Sequence, residues 1–228
     1  IESEYTKNAT KYEFPFVHIG ELSADNCKEI ILNTLKEYRK TLTGKQIEII
    51  LGKADAIKPL YLKVACEELR MFPSFELINA RIANLPDTIA ELFEQFLQRL
   101  EADHNPILVK NTLCLIECSM HGLLESELLE LLKPEGEEKL PVNTWSRLSR
   151  NLSPYLMNVG DENEGLLEFF HLQLSMAIKI KYLKHEETAK QYYKMLADYG
   201  LKNYNLKNGN ILNTVLLTGI YLYKAIEE

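Results

Sequence analysis

No run of about 18 apolar residues free of charge occurs in this sequence, so a membrane-crossing helix is not expected. No CxxC pair occurs either. The four cysteines, Cys27, Cys66, Cys114 and Cys118, each fall in apolar, helix-spaced surroundings, which points to buried reduced thiols in a cytoplasmic protein. Cys114 and Cys118 are one helical turn apart, but no second pair of ligands accompanies them, so no metal site is expected. A positive balance is missing: 26 Lys and Arg against 33 Asp and Glu leave a net charge of -7, which disfavours general affinity for phosphate backbones. The phosphate-binding loop G-x-x-x-x-G-K-[ST] is absent. Its nearest approach, Arg39 to Gln46, keeps Gly44-Lys45 but has Arg39 for the first Gly and Gln46 for Ser or Thr, and it falls between two helices rather than after a strand. The chain opens Ile1-Glu2-Ser3-Glu4, with neither an initiator Met nor a basic-then-apolar leader, so a segment of a longer protein is expected. The sequons at Asn8 and Asn151 carry no weight in a cytoplasmic chain.

What is present is ordinary globular material: 228 residues, 46% hydrophobic and 26% charged, enough for a well-buried core. Residues 14–19 read as a short strand. Ser23 caps a helix carrying Cys27, Ile30, Ile31, Leu35 and Tyr38 at helical spacing. Thr43-Gly44-Lys45-Gln46 has the spacing of a capping box and opens a second helix. Pro59 suits the first turn of a third, Pro59 to Phe72, and Ser74 begins a fourth through Leu77, Ile78 and Ile82. The clearest stripe follows: Ile89, Leu92, Phe93, Phe96, Leu97 and Leu100, ending near His104. Residues 106–121 form a helix apolar almost all round, hence buried, with Gly122 as its stop. A short helix from Glu125 to Leu132, a charged loop and a helix from Val142 to Leu152 come next. Tyr155 to Asn158 and Leu166 to Phe170 then read as strands of a hairpin. Three helices followed by a β-hairpin is the order of a winged helix. Helices over His171 to Leu183, Glu186 to Tyr199 and Ile211 to Ala225 complete the pattern, the last two as a hairpin that could begin an array. The expected fold is mainly α.

Three passages carry a resemblance: Lys58-Pro59-Leu60-Tyr61-Leu62-Lys63 with Cys66-Glu67-Glu68-Leu69-Arg70; Leu85-Pro86-Asp87-Thr88 with Leu92-Phe93-Glu94-Gln95-Phe96; and His121-Gly122-Leu123-Leu124-Glu125, later joined by Phe169-Phe170-His171. Together they resemble the STAND-class NTPases of the NACHT type, in particular nephrocystin-like NACHT proteins with tetratricopeptide repeats and telomerase-associated NACHT–WD proteins. The resemblance implies residues 1–19 as the end of an upstream nucleotide-binding core, 20–104 as a helical domain, 105–183 as a winged helix, and 184–228 as a linker or first repeat. It implies a non-catalytic segment that couples nucleotide state to downstream repeats and to protein partners, in the cytoplasm and for nephrocystin-like proteins at the cilium. ATP or ADP would belong to the full-length protein; no catalytic residue, metal or cofactor is expected in this segment alone.

Two residues have candidate roles by the same resemblance. Pro59 stands where the family places a Pro near the adenine, although Ile57 replaces the usual Gly or Asn. His171 stands where the family places an imidazole that touches the ADP phosphate, although Leu172 replaces the Asp that often follows. The plainer readings are a helix-initiating Pro and a packed or capping His. A purely structural interaction module is the alternative function. A DNA-binding winged helix is the weaker one, since Trp145, Arg147 and Arg150 are thin support in an acidic chain. The acidic stretches Glu125 to Glu138 and Asp161 to Glu164 read as solvated faces and loops.

Overall fold

A computed structural model describes residues 20–71, 77–159, 165–203 and 211–226. The strand expected over residues 14–19, the helix start at Ser74 and the hairpin turn lie outside them. The first described helix, α1 (Ala24–Glu37), starts at Ser23, whose hydroxyl accepts the Asn26 N–H at 3.2 Å. Helix α2 (Gly44–Leu51) starts with the expected capping box, Thr43 and Gln46 exchanging backbone and side-chain bonds. Helix α3 (Pro59–Arg70) has Pro at its first position and buries eight residues from Tyr61 to Leu69. The Lys40 ammonium donates to the carbonyls of Leu69 and Arg70 at 3.1 and 2.7 Å, satisfying acceptors the helix end leaves free. Helix α4 (Ile78–Ala83) is short. Helix α5 (Ile89–Asp103) again begins with a capping box, at Thr88, and its stripe Leu92, Phe93, Phe96, Leu97 and Leu100 is fully buried.

Helix α6 (Pro106–Cys118) is capped by Asn105 and stops three residues earlier than its apolar run predicted. Ser119 turns the backbone extended. Gly122 is therefore not the helix stop: with φ +76° it turns the chain into β1 (Leu123–Leu124), where an added Cβ would come within 2.8 Å of the Leu167 carbonyl. Helices α7 (Glu125–Leu131) and α8 (Val142–Leu152) follow, then a turn of 3₁₀ helix, then β2 (Leu156–Val159) and β3 (Leu166–Phe169). The antiparallel sheet has the order β1-β3-β2, with Leu123 opposite Leu167 and Leu156 opposite Phe169. Helix α9 (Leu172–Tyr182) packs on α5 and α6; α10 (Glu186–Asn203) packs on α6 and pairs with α11 (Ile211–Ile226). Gly200 lets α10 and α11 close up, since a Cβ there would meet the Thr218 hydroxyl at 2.1 Å.

One continuous hydrophobic cluster runs from Cys27 on α1 to Tyr221 on α11. Phe93 and Phe96 reach from α5 to Tyr155 at ring distances of 6.0 and 4.4 Å, so α5 and the 3₁₀ turn that leads into the sheet share that core. All four cysteines are buried and free; burial pushes the thiols of Cys66, Cys114 and Cys118 up to about 12, which keeps them protonated and unreactive at neutral pH. Among the described residues no helix is long and apolar enough to cross a membrane.

Candidate functional site

The start of α3 is pinned to the start of α5. Asp55 accepts the Ile89 N–H at 2.9 Å and pairs with Lys58 at 2.7 Å, while Lys53 pairs with Asp87 at 3.3 Å. The Lys58 ammonium, together with the Ile89 N–H, holds the Asp55 carboxyl below the usual aspartate range. Pro59 is presented from this fixed junction with its ring exposed, next to the half-exposed Ile57. One turn further on, the exposed Lys63 leaves the same face of α3.

His171 occupies the N-cap of α9, not its first turn. Its carbonyl accepts the N–H groups of Leu174 and Ser175, and the preceding Phe170 N–H donates to the Tyr155 carbonyl at 2.9 Å. Its side chain caps nothing. Nε2 is enclosed and has no hydrogen-bond partner among the described residues, a costly arrangement for a polar atom. The imidazole ring stands edge-on to Phe170 at 4.5 Å, and the Lys63 ammonium lies 5.3 Å from the Phe170 ring centre. Burial, and then the positive charge of Lys63, pull the His171 pKa below its ordinary value, so the ring is neutral at pH 7. The structure thus sets His171 beside the helix that Pro59 opens, through Lys63 and Phe170. A neutral imidazole near an exposed lysine can donate one hydrogen bond to an anion that the ammonium attracts.

Beyond His171, α9 carries an unusual outer face. Leu174 and Ile178 point into the core, yet Leu172, Met176 and Ile180 form a second stripe at 68%, 52% and 70% exposure. Phe170, 56% exposed, prolongs it to the His171 corner. A cleft of about 760 Å³ between α7 and α10 lies elsewhere; it mixes Lys133, Lys139 and Lys202 with Glu130, Glu138 and Asp198 and so has no dominant sign. Trp145 of α8 is only 3% exposed, whereas Arg147 and Arg150 are exposed on the outer side of that helix.

A second polar assembly went unseen in the sequence. Glu68 of α3 is wholly buried and receives Arg81 of α4 at 2.9 Å and a two-pronged contact from Arg99 of α5 at 2.8 and 2.9 Å. Arg99 also reaches Asp103 at 3.0 Å and Asn151 of α8 at 3.2 Å. The only signal was a Glu67-Glu68 pair set beside the apolar run Val64-Ala65-Cys66 in helix α3.

Comparison with known proteins gives a family. The family described as Nephrocystin 3, helical domain matches residues 27–182. Human NACHT domain- and WD repeat-containing protein 1 is 30% identical over 198 residues, covering 79% of this chain and 12% of that protein. Rat telomerase protein component 1 is 25% identical over 155 residues, 66% of this chain and 6% of that protein. Human nephrocystin-3 is 25% identical over 203 residues, 82% of this chain and 14% of that protein. The chain therefore spans a small part of the length of each. No solved structure matches.

Proposed function

Because this chain belongs to the Nephrocystin 3 helical-domain family, found in NACHT-type proteins, we propose that it is the non-catalytic helical and winged-helix portion of a NACHT-type NTPase scaffold. It passes the nucleotide state of an upstream core, whose end would be residues 1–19, to downstream repeats and protein partners. Residues 20–104 are its helical domain, 105–183 its winged helix, and 184–228 the linker or first repeat. The winged-helix assignment is supported by the order helix, strand, helix, helix, strand, strand and by β1 joining the hairpin through β3.

The observation that carries this reading is His171: a neutral imidazole with an unused Nε2 at the corner where β3–α9 meets α3. In the closed state it donates to a phosphate of ADP held by the upstream core, with Pro59 against the base. A contact made in one state alone lets nucleotide bias a conformational equilibrium. The apolar stripe Phe170, Leu172, Met176 and Ile180 is the face the upstream core covers in that state, since it runs directly from the His171 corner. In the full-length protein, His171→Ala should weaken ADP binding by one hydrogen bond to a charged group, on the order of 1.5–3 kcal/mol, and raise the radius of gyration. Calorimetric titration with both proteins folded tests this; equal affinities remove His171 from the nucleotide contacts.

The continuous core and the Glu68–Arg99–Asn151 bridge favour a second reading, a rigid interaction module of a large assembly, ciliary in the nephrocystin case. That reading expects scattering curves with and without ADP to superimpose.

A further inference from the structure

We infer that Lys63 is a second anchor for the phosphates that His171 meets, so that a nucleoside diphosphate is gripped from α3 and from the β3–α9 corner together. This rests on the reading above, in which nucleotide lies against His171. Lys63 and His171 border the same Phe170 ring, at 5.3 and 4.5 Å from its centre. Two groups that both carry or acquire positive charge have been brought together with no acid between them: among the described residues Lys63 has no carboxylate partner. Lys58, Lys179 and Lys181, by contrast, each pair with a carboxylate. The enclosed Nε2 of His171 is likewise without a partner. An anion between them satisfies both at once, neutralising the ammonium and accepting from the imidazole.

The support for Lys63 is rigid. Its neighbours Leu62, Val64, Ala65 and Cys66 on α3 are all buried, so the stem leaves the helix from a fixed point. Phe170 borders the space on one side. The exposed end of Phe170 and the flexible lysine stem can swing aside, as they must for an anion to reach Nε2. Because Lys63 lies within the helical part and His171 after the sheet, occupancy tightens the contact between those two parts.

The test is a titration of the full-length protein with ADP and, separately, with inorganic pyrophosphate, following the His171 ring protons by NMR. Lys63→Ala, Lys63→Arg and His171→Ala are compared with the parent, and circular dichroism confirms that each is folded. Both probes should shift the His171 signals. Lys63→Ala should weaken both by about fivefold, as for loss of one solvent-exposed charge contact, and Lys63→Arg should restore most of it. ADP binding tighter than pyrophosphate identifies the nucleotide as the ligand, and pyrophosphate binding as tightly as ADP overturns that identification. If His171→Ala loses ADP while Lys63→Ala binds like the parent, the Lys63 anchor is wrong and the His171 reading stands. If neither probe moves the parent's His171 signals, both are wrong.

Discussion

Removing Arg99 should destabilise this protein far more than removing Arg99 and Glu68 together. The Glu68 carboxylate has no exposed surface, and its two oxygens are held by Arg99 at 2.8 and 2.9 Å and by Arg81 at 2.9 Å. In Arg99→Met the carboxylate loses its two-pronged partner and keeps only Arg81, and Asn151 of α8 loses a donor as well. Breaking a buried pair by deleting one member costs about 3–5 kcal/mol, because the remaining charge stays buried without compensation. Glu68→Met/Arg99→Met removes that charge and fills the space with an apolar side chain of similar length, which is often close to neutral. The double variant should therefore recover at least about half of the single-variant loss. Urea denaturation at pH 7 measures all three, with an unchanged m-value showing that the same transition is followed. A single-variant loss under about 1 kcal/mol, or losses that add in the double variant, would show that water or another group satisfies Glu68 and that the bridge between α3, α5 and α8 is not coupled.

Three further outcomes are expected. Phe93→Ala should cost about 3–5 kcal/mol and Leu97→Ala about 2–5 kcal/mol, since both side chains are fully buried; unchanged denaturation midpoints would place the stripe at the surface. The Asp55 carboxyl lies below its usual range because of Lys58 and the Ile89 N–H, so its contribution is present above the unfolded value of about 4 and lost as pH falls through the folded one. The melting temperature of the parent should accordingly exceed that of Asp55→Asn at pH 7, with the gap closing below about pH 4; a gap independent of pH refutes the pairing. The 228-residue chain should show no ATP turnover above a heat-denatured control, for it has no phosphate-binding loop, and measurable turnover would overturn the non-catalytic assignment.

Local signals made the helices legible. Ser23, Thr43 and the helix-starting Pro59 act through their own backbone neighbours, so each start could be read without knowing the fold, while the capping box at Thr88 emerged only in the structure. The hairpin strands were also readable, because alternation and a Gly-bounded turn are local. Strand β1 was not: Leu123–Leu124 is two residues long and is a strand only because Leu166 and Leu167 lie opposite it. The end of α6 was misplaced for a related reason. Its apolar run continues to Met120, but those residues are needed to reach β1, and the Met120 N–H is taken by the Tyr221 hydroxyl at 3.1 Å, from 101 residues away.

The candidate site divides along the same line. Pro59 and His171 could be singled out one at a time, each from a motif of a few residues. Their relation could not, because it passes through Lys63, a residue that in sequence is an unremarkable exposed lysine on an amphipathic helix. Its significance comes from Phe170, more than a hundred residues later, being placed beneath its ammonium by the antiparallel pairing of β3 with β2, Leu156 opposite Phe169. The same pairing fixes where α9 begins and so which of its faces is outward. A helix apolar on all sides is ordinarily buried on all sides. Helix α9 has Leu174 and Ile178 inward and Leu172, Met176 and Ile180 outward, so its composition already recorded a second apolar face, and only the fold could say that this face starts at His171.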